Sequence, residues 1–532
     1  MVDPTRRDET GAPRPTRRYP LNEPVDAVVV GTGAGGAPLT ARLAAAGLSV
    51  VALEAGRWWD PAADFATDES AQSGLFWNDD RLSEGGNPIH LGRNNSGAGV
   101  GGSTLHYTGF VPRAQPDDFR IRSEFGVGVD WPIGYDDLAP YYAEVERTLG
   151  VSGPSPYPWG PPRSAYPLPP LPLNGAAQLM ERGAAFVGIE TSPAANAALS
   201  QPYYQEGIGW RGPCIGRGFC QAGCSVGAKG SMDVTYIPLA VHHGAEIRPD
   251  SRVVDLERAP DGRVAAVVYR VGDELRRQPC RAVFLCAGAV ETPRLLLHWG
   301  IANGSGEVGR NFMAHVGPQL WGEFDDDVRP NKGIPAGLVS EAMHRPSGAD
   351  FAGGYLLQSI GVMPVTYASQ LARGLVLWGP ELIRRIAAYN HVAGINILGD
   401  CLPSTDNTVS LADEVDPFGI PVPRVAFTAG DNERAMARHA MATMRAVWEA
   451  AGARDMWEMP RFAHLIGTCR MGDDPSSSVV DRDGRAHDVP NLYVADNSVF
   501  PSALGVNPAL TIMALSLRTA DRHVDSRRHS EA

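Results

Sequence analysis

Two stretches of this 532-residue chain have residue types and spacings that point directly to chemistry. The first is GTGAGG, which sets Gly31, Gly33 and Gly36 at G-x-G-x-x-G spacing. In such a turn the first glycine bends tightly, the second lets backbone approach a pyrophosphate, and the third lets helix and strand pack closely. Free N–H groups at the start of the following helix then face the phosphates. Glu54 stands 18 residues beyond Gly36, at the end of the next strand, where a carboxylate can accept ribose hydroxyls. A carboxylate there favours a free 2′-hydroxyl and disfavours NADP. The second stretch is GPCIGRGFCQAGCSVGAKGS, which places Cys214, Cys220 and Cys224 at C-x5-C-x3-C spacing among glycines that let thiolates converge. Three thiolates are fewer than a closed zinc site or a four-cysteine cluster needs. They suit a three-iron cluster. A zinc site completed by Asp233 or a histidine, and three purely structural thiols, stay open beside it.

The elements that must position these groups can be read from hydrophobic patterning. Asp26–Val30 is a short buried strand, Pro38–Ala46 an Ala/Leu-rich helix stopped by Gly47, and Leu48–Leu53 a second strand, together one βαβ unit. The stretch Asn94–Gly109 carries five glycines and can lie flat against an extended planar cofactor. A helix over Tyr135–Leu149 precedes Val151–Leu173, whose nine prolines exclude helix and central strand. From Ala245 the pattern is β, with a hairpin turn at Asp261-Gly262. A strand over Ala282–Ala287 leads into a helix from about Thr292. Residues 312–455 are mixed, and a last strand, Asn491–Ala495, runs by a loop into a helix over Pro508–Val524.

Composition narrows the class. Hydrophobic residues at 43% and charged residues at 20% fit a soluble globular protein, and the length calls for two domains. No apolar run reaches the roughly 18 residues of a membrane span. A net charge of −13 argues against nucleic acid as a partner. Seven cysteines are too few for a disulfide scaffold at this length. The polar, Pro-rich residues 1–24 read as a disordered leader without an export signal, so the expected location is the cytoplasm unless a partner carries the protein out.

Six blocks in order resemble the glucose–methanol–choline (GMC) oxidoreductases over nearly the whole chain, Asp26 to Asp521. They are GTGAGG with Glu54, GVGGSTLHYTGFVPR (99–113), WPIGYDDLAPYYAEVE (131–146), CAGAVETPRLLL (286–297), HLIGTCRMG (464–472) and NLYVADNSVFPSALGVNPALTIMALSLRTAD (491–521). The resemblance implies an α/β protein in which a Rossmann-like FAD domain (25–125, 205–311 and 456–525) is interleaved with a substrate domain and linker (126–204 and 312–455) built on an antiparallel sheet. It also implies hydride transfer from an alcohol carbon to the flavin. His464 stands where the family has its active-site histidine, and Asn507 where it has histidine or asparagine. An imidazole can take the hydroxyl proton, whereas an amide can only orient the hydroxyl. Pro508 suits a first helical turn, which makes Asn507 a candidate helix N-cap. Gly102, Ser103, Val253, Asp496, Asn497 and Pro508 match further FAD contacts. His106 matches a histidine that some members join covalently to the flavin and others leave unlinked.

The cysteine stretch resembles a bacterial subgroup of sugar and polyol dehydrogenases that pass flavin electrons through an iron–sulfur centre to an outside acceptor. The implied partners are a small subunit and a haem protein. The resulting expectation is an FAD dehydrogenase acting on a sugar, glycoside or polyol. An FAD oxidase releasing hydrogen peroxide, and a lyase on the same fold, are the competing readings.

Overall fold

The computed structural model describes residues 17–89 and 96–531; residues 1–16 of the expected leader, and Asn94 and Asn95 of the glycine-rich loop, lie outside the described residues. The chain makes β1 (Val25–Val30), α1 (Gly36–Ala45) and β2 (Val50–Leu53), then the long helix α2 (Tyr135–Leu149) and α3 (Gly175–Phe186). It returns with β3 (Glu246–Arg248), β4 (Arg252–Arg258), β5 (Val264–Val271), β6 (Glu274–Leu285) and α4 (Gly288–Trp299). A second sheet is then laid down by β7 (Met313–Val316), β8 (Gln319–Glu323), β9 (Leu338–Ser340), β10 (Tyr355–Ile360) and β11 (Val392–Gly399). After α5 (Asp431–Ala450) that sheet is completed by β12 (Asp455–Met459) and β13 (Phe462–Ile466). The closing elements are β14 (Leu492–Val494) and α6 (Ala509–Glu531).

Among the described residues the first sheet has seven strands in the order β3-β2-β1-β6-β5-β4, with β14 beside β6. Its centre is parallel: β1 pairs with β2 and β6, and β14 with β6. Parallel strands covered on both faces must be apolar throughout, which is why VDAVVV is buried almost end to end. The β4–β5 hairpin turns at the expected Asp261-Gly262, with Gly262 at φ +84°. The apolar strand expected at Ala282–Ala287 is the last part of β6, whose first half pairs antiparallel with β5.

Three helix boundaries differ from the sequence reading. α1 starts at Gly36, because Pro38 sits in the first turn, where a missing N–H is harmless. α4 starts at Gly288 instead of near Thr292, because Asp496 accepts from Gly288 N–H (2.8 Å) and Thr292 Oγ1 (2.6 Å). That cap comes from 208 positions away and has no local signal. α6 runs past Val524, with Arg527 paired to Asp26 at 2.8 Å.

The second sheet has eight strands in the order β12-β8-β11-β10-β9 plus the short strand Ser192–Pro193, with β7 beside β11 and β13 beside β7. Every pairing in it is antiparallel. β13 falls in the 456–525 segment grouped with the nucleotide domain, yet its ladder partner is β7. One face of this sheet is apolar: Leu320, Leu338, Tyr355, Leu357, Ile395 and Ile397 pack with α3 and α5 in one core. Strand alternation puts the intervening residues on the opposite face. There Val339, Leu356 and Leu398 join the core of the dinucleotide domain. The opposite face is therefore the one turned to the cofactor side.

Candidate active site

The glycine turn leaves β1 with Gly31 at φ +94°, where a Cβ would lie 2.6 Å from the Cys286 carbonyl oxygen. A Cβ on Gly36 would lie 1.9 Å from Gly31 O, so this position closes the strand–helix contact. The turn opens onto a cleft enclosing roughly 1190 Å³ of empty space, its open mouth included. Gly31, Gly33, Glu54, Gly102, Ser103 and Val253 line it, as do Asp496 and Asn497. Gly36, His106, Asn507, Pro508 and His464 are not part of its lining. A side chain on Gly102 would fill the channel, since its Cβ would sit 2.7 Å from Gly33 Cα. A narrow channel walled by main chain fits an extended dinucleotide.

Glu54 does more than its spacing predicted. Its carboxylate accepts from Thr32 N (3.0 Å), Thr32 Oγ1 (2.8 Å), Gly56 N (3.0 Å) and Gly99 N (3.2 Å), tying three loops into one cradle. Burial raises its pKa while these donors oppose the shift.

His464 sits at a β-bulge. Ladder partners run Ala314 with Leu465 and His315 with Ala463, so His464 is the extra residue, at φ +58°. Bulges redirect side chains, and histidine is among the residues that tolerate this backbone region. His464 Nδ1 lies 3.1 Å from Nδ1 of His315. His315 Nε2 lies 2.6 Å from the Leu504 carbonyl oxygen and 3.1 Å from that of Ala503. Burial brings the fully buried His315 down to about 4. His464 is also driven well below the ordinary histidine range, first by burial and then by the charges of His315 and Arg461. His315 was not singled out in the sequence. In AHVG it reads as one more strand residue, and only the fold brings it to His464.

Asn507 lies three residues beyond Leu504 on the same loop. It is not the N-cap expected of it: α6 begins at Ala509, and Ile512 N–H bonds Pro508 O at 2.9 Å, which makes Pro508 the capping position. The Asn507 Oδ1 is buried and has no partner, so it is free for a ligand. Asn497 links cleft and histidine, its Nδ2 donating to the Leu465 carbonyl next to His464. His106 is buried, packs edge-on to Phe76 at 5.0 Å, and has an unpartnered Nε2. Desolvation, with the Lys229 charge, lowers its pKa to about 3.

The three cysteines are free thiols. Gly216 N–H points to Cys214 Sγ (3.5 Å) and Lys229 N–H to Cys224 Sγ (3.4 Å). Burial pushes Cys220 up to about 12. The buried Lys229 ammonium donates to Cys220 O (2.6 Å), Leu105 O (2.7 Å) and Tyr107 O (3.2 Å), clamping the cysteine loop to the loop of His106. Among the described residues, the one group of three ligand atoms within 4.8 Å of one another is Asp117, Asp118 and His344, so the thiols do not form a compact zinc cage with Asp233.

Residues 204–317 and 403–516 match the GMC oxidoreductase family. The chain is 30% identical to the fructose dehydrogenase large subunit of Gluconobacter japonicus, over 93% of this chain and 97% of that one. It is 31% identical to 2-methyl-1,2-propanediol dehydrogenase of Mycolicibacterium austroafricanum, over 93% and 94%. In fold it is similar to formate oxidase of Aspergillus oryzae (TM-score 0.71, 16% identity, 96% and 100% covered). The chain belongs to the GMC oxidoreductase family, whose members bind FAD and act on alcohol groups. No helix among the described residues is long and apolar enough to cross a membrane.

Proposed function

We propose that this chain oxidises a hydroxyl-bearing carbon of a sugar, glycoside or polyol and passes the electrons to an acceptor other than oxygen. The observation that carries the reading is the hydrogen-bond chain behind His464. Carbonyl oxygens only accept, so His315 Nε2, facing two of them, must carry the proton. Held neutral, His315 then offers a bare Nδ1, and His464 donates to it from its own Nδ1. This leaves His464 Nε2 as the basic nitrogen, ready for a hydroxyl proton. Asn507 orients that hydroxyl by donating from its amide Nδ2–H to the hydroxyl oxygen. When bound, FAD supplies the hydride acceptor. The substrate loses a hydride from carbon and a proton from oxygen and becomes a carbonyl compound. Gly31, Gly33, Glu54, Gly102, Asp496 and Asn497 hold the cofactor, and the unpartnered His106 Nε2 is the nitrogen available for a covalent tether.

Cys214, Cys220 and Cys224 would hold an iron–sulfur cluster, which would supply a one-electron path from the flavin to an outside acceptor. Backbone N–H groups aimed at two of the sulfurs, and a lysine that fastens this loop beside His106, support it. A small subunit and a haem protein are the partners this route calls for.

The test is anaerobic mixing of FAD-loaded protein with a polyol, followed by air. Bleaching of the flavin with a carbonyl product, then slow recovery in air, is the expected result. Fast recovery with stoichiometric peroxide would make the protein an oxidase. Iron analysis and low-temperature EPR of anaerobically purified protein decide the cluster: a three-iron signal supports it, and iron-free protein removes it. Flavin that stays with acid-precipitated protein demonstrates the tether.

A further inference from the structure

The face of the second sheet that carries His315 also carries a row of amides. Gln319 on β8 is the ladder partner of Asn396 on β11, and Asn396 is the partner of Gln358 on β10. Directly opposed residues in antiparallel pairs share a face and lie about 5 Å apart at Cβ. The three side chains are therefore neighbours across three strands, on the face opposite the α3–α5 core. They are buried, at 3%, 2% and 4% exposure. Yet they do not satisfy one another: Gln358 Nε2 and Asn396 Oδ1 have no partner. Gln319 Oε1 accepts from Trp321 (3.0 Å), and Asn396 Nδ2 reaches only the adjacent Ile397 carbonyl (3.3 Å). Buried polar atoms are normally paired, so a row with open valences calls for a ligand or solvent.

Arg461 ends this row at the β12–β13 junction. Gly317 N–H bonds the Arg461 carbonyl (3.1 Å), which extends the β7–β13 ladder and puts Arg461 on the face of His315 and Ala463. Its side chain is exposed and pairs with no carboxylate among the described residues. The Arg461 charge bears on His464, three residues along the same strand edge, which places the guanidinium within electrostatic reach of the histidine.

We propose that Gln319, Asn396 and Gln358 bind the hydroxyls of a polyhydroxylated substrate and that Arg461 pairs with a carboxylate on it, so that the substrate is a sugar acid. Each amide offers both a donor and an acceptor, the combination that vicinal hydroxyls require. A guanidinium takes a carboxylate through two parallel hydrogen bonds. Pairing also neutralises one of the positive charges that hold the His464 imidazole down, so the acidic substrate strengthens the base that acts on it. This inference rests on the alcohol-oxidising reading given above.

The experiment compares gluconate with sorbitol, the same carbon chain with and without a carboxylate, on FAD-loaded full-length protein. Anaerobic flavin reduction and ligand-induced thermal shift are read in parallel. Gluconate is expected to half-saturate at a roughly tenfold lower concentration than sorbitol. Arg461→Gln should erase that difference, Arg461→Lys should restore part of it, and Gln358→Met should weaken both ligands alike. Equal affinities in the unsubstituted protein, or a preference that survives Arg461→Gln, would overturn the role of Arg461. Unchanged binding of both compounds by Gln358→Met and by Gln319→Met would overturn the amide row. If neither compound bleaches a flavin that dithionite reduces, the alcohol-oxidising reading falls, and the thermal shifts still decide the binding claim.

Discussion

The dinucleotide cleft and the amide-bearing face of the second sheet both present polar groups, but they are made of opposite materials. The cleft is made of main chain: Gly31, Gly33 and Gly102 bring backbone to backbone, and Glu54 fastens three loops through N–H and O–H donors. The sheet face is made of side chains, with an unpaired guanidinium and amides whose open valences point inward. A main-chain site recognises a fixed cofactor and tolerates almost no added atom. A side-chain site can change its ligand by substitution without disturbing the strands beneath. His464 and His315 stand at the seam, on bulged strands of the second sheet, bonded to the loop that carries Asn507.

The comparison breaks most severely at Gly36. Gly36→Val places carbon within bonding range of Gly31 O, so soluble flavin-bearing protein should be lost altogether. Flavin absorbance per protein and the melting temperature measure this, and a yellow, cooperatively melting variant would contradict it. Glu54→Gln should be milder. The protein still folds, but FAD affinity falls by about 1.5–3 kcal/mol, in line with the loss of charge-assisted hydrogen bonds. Titration of apoprotein with FAD reads the change, which should leave sugar-acid binding to the sheet untouched.

Substitution at the seam should sharpen the contrast. His315→Leu removes the acceptor for His464 Nδ1–H and should slow flavin reduction by about 10–100-fold while FAD is retained. His315→Asn, whose Oδ1 can still accept, should recover much of the rate and keep the pH profile close to that of the unsubstituted protein. If both variants behaved alike, His315 would be mere packing.

The smallest perturbation is mild acid. His315 (about 4) and His106 (about 3) are depressed below the ordinary value of 6.5. The unfolded chain therefore takes up these protons first, so the stability they contribute is complete above about pH 6.5 and drains away as pH falls toward 4. Thermal melts between pH 7.5 and pH 5 should show a steady decline, and His315→Asn should flatten it.

What the sequence revealed follows the same division. The glycine turn, Glu54 and the βαβ unit were legible because their signals are local: spacing in one stretch sets turn, helix start and acid. The six ordered blocks extended this to the family and to His464. The capping role expected of Asn507 was not legible, since only the α6 boundary shows that Pro508 takes that position. The α4 start was hidden because its cap, Asp496, arrives from the far end of the chain. His315 and the Gln319–Asn396–Gln358 row were invisible for a stronger reason. Each is an unremarkable strand residue, and its meaning depends on which strands lie side by side, which residue type and spacing do not encode.

The most direct test of the account is anaerobic flavin reduction in His464→Ala. The variant should keep a full complement of FAD, be reduced by dithionite as readily as the unsubstituted protein, and be reduced by an alcohol substrate about 100–10,000-fold more slowly. Reduction by substrate at the unsubstituted rate, with FAD fully bound, would show that the proton leaves by another route and that the His315–His464 pair is not the base.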